Sequence, residues 1–313
     1  MKSVTIQCLS EAVSPITHMS GTVGNEAIVA REPVHTSRGI MLIPFLSGNA
    51  MRHRAVREPG AMWLIDRYGL RGSMSLQQLN FLLHGGNLTQ SNAHENTRRI
   101  AEMHRCWPLL RLCGGSLPDQ ILSGSMHVWR GTLVCEENRV TLARTLGDLP
   151  PERMLSFEQF TSAYQYTRGD AKKRGIVAET DDDETNLMIY SGQAVMRGAI
   201  FHHGFVVNHA SDLEIGCLLL SLRLWQSGGG TIGGNARLGH GRLATEIVGS
   251  ESDQDELVCR YVEHVDAVKD DAVAWLRDAF TAKAELRETK KKAAKKQKGL
   301  LADEQPESDG NAE

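Results

Sequence analysis

The sequence lacks several features that would place it in a common class of protein. Its six cysteines include no Cys-x-x-Cys pair, so we expect reduced thiols in a core and no disulfide framework. Cys106 and Cys113 have histidines nearby, but not at a standard zinc spacing. There is no apolar signal-peptide core, and no run approaches the roughly 20 apolar residues of a membrane-spanning helix. We therefore predict a cytoplasmic protein that has no membrane association and binds no metal or cofactor.

The chain also lacks the overall positive charge of many nucleic-acid-binding proteins, since its formal net charge is -3. The charge is distributed unevenly: residues 302–313 contain five acids and no base, so the rest of the chain carries +2. Phosphate binding depends on local clusters of Lys and Arg, so the total excludes no nucleic-acid partner. We predict a basic C-terminal helix over residues 251–300 and an acidic, disordered tail over residues 301–313.

Hydrophobic periodicity predicts strands and helices in mixed order. The strands are expected over residues 2–9, 39–46, 126–135, 139–143, 186–190, 200–208 and 243–248, with a loop between residues 10 and 38. The helices are expected over residues 49–57, stopped by Pro59, over several stretches between 60 and 112, and over 211–227. Because strands and helices do not alternate as in a doubly wound sheet, the pattern favours an α+β fold.

A glycine-rich loop over residues 228–242 is the most informative feature of the sequence. It contains seven glycines, and Gly228, Gly230 and Gly233 match the dinucleotide fingerprint GxGxxG. However, a predicted helix precedes it and a strand follows it, which is the reverse of that motif, and no GxxxxGK[ST] phosphate loop occurs. Glycines let a ligand backbone come close, and Arg or His among them can neutralise phosphates. The candidate ligands are Gly233, Gly234, Asn235, Arg237, His240 and Arg242; the alternative is a flexible connection.

Two further segments have groups that suit RNA. The helix after Ser47 offers free N–H groups to an anion, and its candidate residues are Ser47, Gly48, Asn49, Arg52, His53, Arg54 and Arg57. The composition of the polar stretch 161–185 predicts a protruding loop or hairpin, in which tyrosines stack on bases and basic side chains neutralise phosphates. Its candidate residues are Tyr164, Tyr166, Arg168, Lys172, Lys173 and Arg174. The alternatives are a solvated basic face for the first segment and a disordered surface loop for the second.

The sequence supports a catalytic function less well than it supports RNA binding. Histidines are plentiful, so metal-free RNA cleavage with a His general base is one reading. His202 and His203 are adjacent on a predicted strand and must face opposite sides, so they cannot reach one substrate atom. No paired carboxylates occur near the glycine-rich loop. We predict a binding protein and not an enzyme.

Three motifs, in this order, resemble the RAMP superfamily, specifically the subunits that coat CRISPR RNA (Cas family seven). They are the stretches 43–52 (IPFLSGNAMR), 107–115 (WPLLRLCGG) and 233–243 (GGNARLGHGRL). The third is the specific one, although the family has an aromatic residue where this chain has His240. The resemblance spans roughly residues 1–250, and the helical segment looks most like the versions in type IV systems.

The resemblance implies a ferredoxin-like palm of the RNA-recognition type with a helical finger insertion and a β-hairpin thumb. Mapped onto this chain, the palm holds residues 1–58, 121–156 and 186–250, the finger 59–120 and the thumb 157–185. The implied function is antiviral defence: copies of the subunit polymerise along a guide RNA (crRNA) in a helical filament. They would present its bases to target DNA or RNA within a ribonucleoprotein that contains other CRISPR effector subunits.

One departure from the family bears on catalysis. Members that cut target RNA have an aspartate in the loop after the first strand, and aligning residues 30–33 (AREP) places Glu26 there. We therefore predict no cleavage. A RAMP endoribonuclease that processes CRISPR RNA or cuts its target, and an unrelated protein-binding scaffold, remain alternatives.

Overall fold

The computed structural model describes residues 2–24, 26–88, 96–147, 154–167, 189–249 and 253–280. Its strands are β1 (Lys2–Ala12), β2 (Met19–Val23), β3 (Glu26–Val29), β4 (Arg31–Thr36), β5 (Gly39–Leu46), β6 (Gly115–Ser116), β7 (Ile121–Leu122), β8 (Met126–Val128), β9 (Gly131–Leu133), β10 (Thr161–Thr167), β11 (Ile189–Val195), β12 (Ile200–Ala210) and β13 (Leu243–Val248). Its helices are α1 (Gly48–Met51), α2 (Glu58–Arg67), α3 (Leu76–His84), α4 (Thr97–Cys106), α5 (Pro108–Cys113), α6 (Arg139–Leu146), α7 (Asp212–Ser227), α8 (Gln254–Ala267) and α9 (269–280).

The main sheet has the strand order β13-β1-β12-β9-β5-β4, and β8 also pairs with β12. Within it, β1, β9, β12 and β13 lie in the order β13-β1-β12-β9, and each neighbouring pair is antiparallel. Helices lie between β1 and β9 and between β12 and β13 along the chain, so these elements form a β-α-β-β-α-β unit with further strands inserted. This is the ferredoxin-like arrangement, and it confirms the predicted α+β fold class.

The core lies between the main sheet and the helices. Alternate residues of β12, among them Phe201, Phe205 and Val207, are fully buried, as expected for one face of a strand. Helix α7 contributes Leu218, Leu222 and other buried side chains. Fully burying each such side chain is worth about 1.5–3 kcal/mol, so this layer is a major source of stability.

A second sheet has the order β10-β11-β3-β2. Strands β10 and β11 pair antiparallel, and β11 pairs parallel with β3. The polar stretch predicted to protrude therefore has a seven-residue strand, Thr161–Thr167, in a sheet. The following strand runs over Ile189–Val195; of the strand predicted over residues 186–190, residues 189 and 190 lie in it and residues 186–188 lie outside the described residues. Cross-strand hydrogen bonds and aromatic pairs replace the apolar packing that this stretch lacks.

Two predicted segments have a different structure. The expected loop between residues 10 and 38 contains β2, β3 and β4, whose burial alternates little because both faces stay partly exposed. The expected strand at residues 139–143 is helix α6. Val140 and Thr141 indicate a strand by propensity, but α6 lies at the surface with only Leu142 buried, and Gly147 caps it at φ 73°.

Pro59 does not stop its helix. Helix α1 continues through a π-helical turn, Arg52–Arg57, directly into α2, with Pro59 in the first turn of α2. Proline is tolerated where its missing N–H is not needed, and the widened turn just before it carries the N–H of Glu58 back to the carbonyl of His53. The chain therefore passes Pro59 without a break.

Between residues 60 and 112 the described residues form α2 to α5, as predicted. Helix α3 begins with a capping box in which Ser75 and Gln78 bond each other's backbone N–H groups. None of the helices in the described ranges is long and apolar enough to cross a membrane. The basic segment 283–298 and the acidic tail also lie outside the described residues, and the palm, finger and thumb boundaries stay predictions.

Candidate nucleic-acid interface

The first half of the glycine-rich loop is clamped to the chain at Thr17. The N–H of Gly234 donates to the Thr17 carbonyl (2.8 Å), and Thr17 Oγ1 donates to the Gly234 carbonyl (2.7 Å). A Cβ on Gly233 would lie 2.6 Å from the Thr17 oxygen, and φ at this glycine is +77°. Gly233 and Gly234 therefore serve the close approach of the protein's own backbone, which differs from the expected approach of a ligand.

The second half is held in the same way. The N–H of Gly241 donates to the Pro15 carbonyl (2.7 Å), and the N–H of Arg242 donates to Ser14 Oγ (2.9 Å). These bonds attach the described loop to residues 14–17 at both of its halves. Gly239, by contrast, has no atom within 4 Å of its Cβ position, so the loop presents its surface there.

The start of α1 lies beside the same chain segment. Ser47 caps α1 by accepting the Ala50 N–H at Oγ (3.2 Å), and its own N–H donates to Nε2 of His18 (3.1 Å). A Cβ on Gly48 would lie 2.8 Å from the Val128 carbonyl, so this glycine allows α1 to pack against β8. Asn49 is exposed. Ser47 and Gly48 therefore have structural roles, and Asn49 faces solvent at the N-terminus of α1.

Arg57 is not a surface cation, which corrects the prediction for this residue. Its side chain is buried, with only 6% of the residue exposed. The guanidinium donates to the carbonyls of Cys113 (2.9 Å), Gly114 (2.6 Å) and Phe81 (3.4 Å). Burial lowers the pKa of Arg57. Arg57 therefore joins the ends of α3 and α5 to the π-helical turn.

The other basic residues of this segment also contact the protein. Arg52 donates to the Met126 carbonyl (2.9 Å), and Arg54 pairs with Glu58 (2.7 Å). His53 lies 3.8 Å from the same carboxylate, and burial is the main cause that lowers the pKa of His53. The free basic face expected from the sequence is therefore partly neutralised by Glu58, which follows the segment directly. Contact of these three residues with RNA stays a prediction.

Tyr164, a tyrosine of β10, contacts the glycine-rich loop. Tyr164 accepts a hydrogen bond from Nδ2 of Asn235 (2.8 Å), and its ring meets the ring of His240 edge-on with centroids 5.0 Å apart. Tyr164 and Tyr166 are nearly parallel at 10°, with centroids 6.3 Å apart, and Tyr166 stacks on Tyr190 at 5.2 Å. Burial is the main cause that raises the pKa of Tyr164. Arg168, Lys172, Lys173 and Arg174 lie outside the described residues.

The charge of the loop comes from two exposed side chains. Arg237 and Arg242 are exposed and make no ion pair with any other described residue. His240 is half-buried, and burial lowers its pKa, so it is neutral near pH 7. A third exposed arginine, Arg197, lies at the same end of the sheet. Its neighbour Gly198 donates to the carbonyl of Ala12, and Val13, which follows Ala12, donates to the carbonyl of Arg242.

The three predicted segments thus lie close together: residues 14–18 hold the glycine-rich loop and the start of α1, and β10 contacts the loop. Thr17 holds the glycine-rich loop, His18 holds the start of α1, and Tyr164 joins β10 to the loop. Sequence reasoning missed His18, Tyr190 and Arg197. Nothing in their local sequence distinguishes them, although Tyr190 was in a predicted strand. Burial lowers the pKa of His18, so its neutral ring accepts the Ser47 N–H.

The histidine pair and Glu26 offer little catalytic chemistry. His203 is fully buried against Ser10 (2.7 Å), while His202 contacts Gln7 (3.4 Å) on the opposite face. Glu26 accepts a hydrogen bond from Gln193 (3.4 Å). Among the described residues, no group of three or more His, Cys, Asp or Glu side chains is placed to hold a metal ion.

The fold and this convergence define a ferredoxin-like α+β protein with a candidate single-strand binding surface. Among solved structures, the chain is similar to a chain of a Type IV-B CRISPR Complex, with a TM-score of 0.54 and 13% sequence identity. The alignment covers 79% of this chain and 91% of the other. No protein-family profile and no curated protein sequence matches the chain. At this identity the similarity shows the fold.

Proposed function

We propose that the protein is a repeating backbone subunit of a CRISPR ribonucleoprotein and binds guide RNA along its sugar-phosphate backbone. The observation that carries this proposal is that residues 14–18 hold both the glycine-rich loop and the start of α1, while Tyr164 of β10 contacts the same loop. Arg237 and Arg242 supply charge for phosphates, and the tyrosine rings supply stacking. The similarity to a chain of a Type IV-B CRISPR Complex supports the biological setting.

The proposed partners are guide RNA, further copies of this chain in a helical array, other CRISPR effector subunits, and target DNA or RNA that pairs with the guide. Contacts to phosphates fix register and orientation without reading sequence. A subunit that holds the strand by its backbone leaves most base edges free for pairing, which is what presentation of a guide requires.

We also propose that the subunit does not cleave RNA. Glu26 accepts a hydrogen bond from Gln193, and no group of three or more His, Cys, Asp or Glu side chains among the described residues is placed to hold a metal ion there. His203 is buried away from solvent, and its neighbour His202 faces the other side of the sheet. His202 and His203 therefore do not form an acid–base pair that reaches one substrate atom.

The direct test is to purify the protein from cells that carry a CRISPR array and to sequence the RNA that co-purifies. The expected result is a ratio of absorbance at 260 nm to that at 280 nm well above that of pure protein, with guide RNA enriched. A nucleic-acid-free protein that binds no guide RNA when the RNA is added would favour the protein-binding scaffold. Cleavage of CRISPR repeat RNA by the lone protein would favour the endoribonuclease.

A further inference from the structure

The face of the second sheet that bears the tyrosines carries a cavity of about 250 Å³. Strands β10 and β11 supply the rings of Tyr164, Tyr166 and Tyr190, and β2 and β3 supply Met19, Thr22 and Ala27. Pockets for drug-sized ligands have volumes of about 300–1,000 Å³, so this one suits a smaller, flat group.

The floor of the cavity follows from strand register. Tyr164 lies opposite Gly192, Gly192 opposite Ala27, and Ala27 opposite Thr22. In this row across the four strands, Gly192 has no side chain and Ala27 has only a methyl group. A Cβ on Gly192 would lie 2.6 Å from Tyr164 Oη. Because Gly192 has no side chain, the Tyr164 ring packs directly on the backbone of β11, and Gly192 and Ala27 leave space beside the rings that forms the floor of the cavity.

Hydrogen-bonding groups surround the rings. Asn235 has a left-handed backbone (φ 58°), and its amide donates to Tyr164 Oη from the edge of the cavity. Thr22 also lines it. Aromatic rings for stacking, with a few polar groups at the rim, are what a nucleobase needs: every base has a π-face, and its edge needs donors and acceptors.

We infer that this cavity, bounded by Tyr164, Tyr166, Tyr190 and Ala27, takes one unstacked base of the bound RNA strand. The inference rests on the proposed function, because the base belongs to the RNA that the subunit binds. It adds a discrete base site to a surface that otherwise contacts phosphates. Stacking tolerates any base, so the site does not require a fixed guide sequence.

The experiment uses the full chain and single-stranded RNA with 2-aminopurine at one position in turn, and follows fluorescence and affinity together. Ala27→Leu fills the floor and Tyr166→Leu removes the central ring. Glu26→Leu is the matched control, since its side chain points to the opposite face of β3. We expect a change in 2-aminopurine fluorescence on binding, abolished in both cavity variants but kept in the control. We also expect roughly tenfold weaker binding of the cavity variants.

The outcomes separate this site from the proposed function. If the cavity variants bind RNA with unchanged affinity and fluorescence, the base site is wrong and RNA coating stands. If the unmodified protein binds no RNA, both fail. Loss of RNA-independent self-association in Ala27→Leu, with no change in 2-aminopurine fluorescence, would assign the cavity to a neighbouring copy and overturn the base site.

A second measurement needs no variant and therefore does not depend on the folding of one. RNA containing 4-thiouridine is photo-crosslinked to the unmodified protein and the adduct is mapped by mass spectrometry. Crosslinks on Tyr164, Tyr166 or Tyr190 are expected. Crosslinks confined to other residues would contradict the base site.

Discussion

Arg57 shows that a cation in a basic stretch can belong to the core. Its guanidinium satisfies three backbone carbonyls, and leaving buried acceptors without a donor costs about 1–3 kcal/mol each. Arg57→Met should therefore lower the free energy of unfolding by about 3 kcal/mol, measured by urea denaturation. Arg144→Met, on the exposed face of α6, is the control and should leave it unchanged. An Arg57 variant with normal stability but weak RNA binding would restore the original interpretation.

His203 makes a second prediction at the scale of single residues, on acid stability. Burial lowers the pKa of His203 from 6.5 to about 3. Between these values the unfolded chain binds a proton that the folded protein does not, so stability is full above pH 6.5 and falls as the pH is lowered. The slope for one proton is about 1.4 kcal/mol per pH unit.

The measurement is urea unfolding at several values between pH 7 and pH 5, where most carboxylates stay ionised. His203→Gln keeps a hydrogen-bonding group for Ser10 but has no titrating ring, so its stability should depend less on pH. His18 and His202, whose pKa values burial also lowers, retain their contribution in both proteins. Equal slopes for the variant and the unmodified protein would refute this assignment.

At the scale of elements, the β10–β11 pair changes how the thumb should be tested. Removing residues 163–183 would take away most of β10, including the Tyr164 hydrogen bond to Asn235. A deletion of residues 169–187 with a short Gly-Ser link keeps every described residue and removes Lys172, Lys173 and Arg174. We expect an unchanged melting temperature and weaker RNA binding with a shallower salt dependence. A deletion protein that melts much earlier would place the segment in the core, and full assembly on RNA with normal target pairing would end its assignment as the thumb.

For the whole molecule, the test is how affinity depends on salt. Arg237 is exposed and forms no ion pair with a described residue, so Arg237→Ala should remove one phosphate contact without structural loss. The expected result is weaker binding of every homopolymer RNA to a similar degree, with a salt slope reduced by roughly one. Arg144→Ala is the control for a change of one charge elsewhere. A loss of affinity confined to one base sequence would contradict backbone recognition.

Much of the fold could be predicted because the relevant signals are local. Helix α7 begins after the capping box at Ser211 and ends at Ser227 as expected, and β5 and β13 have the predicted bounds. Capping side chains and long apolar runs act within a few residues, so they are readable without the rest of the protein. Strands β2 to β4 could not be read in this way because their pairing partners, and not their own apolar pattern, stabilise them.

The features of the candidate site also fall into those that the sequence predicts and those that only the tertiary structure decides. Residue type and local pattern alone identified the glycine-rich loop, the cap at Ser47 and the tyrosines of β10, because Gly, Ser and Tyr carry their chemistry wherever they stand. Only the tertiary structure decided that Arg57 is buried, that Glu58 neutralises Arg54, and that Gly233 and Gly234 pack on Thr17. The tertiary structure also placed Tyr190 and Ala27 beside Tyr164 and Tyr166, where the four residues line one cavity. Burial and backbone contact depend on neighbours that are distant along the chain, whereas the pairing of Arg54 with Glu58 is local along one helix. The sequence therefore determines which groups exist, and the fold determines which of them are free to bind.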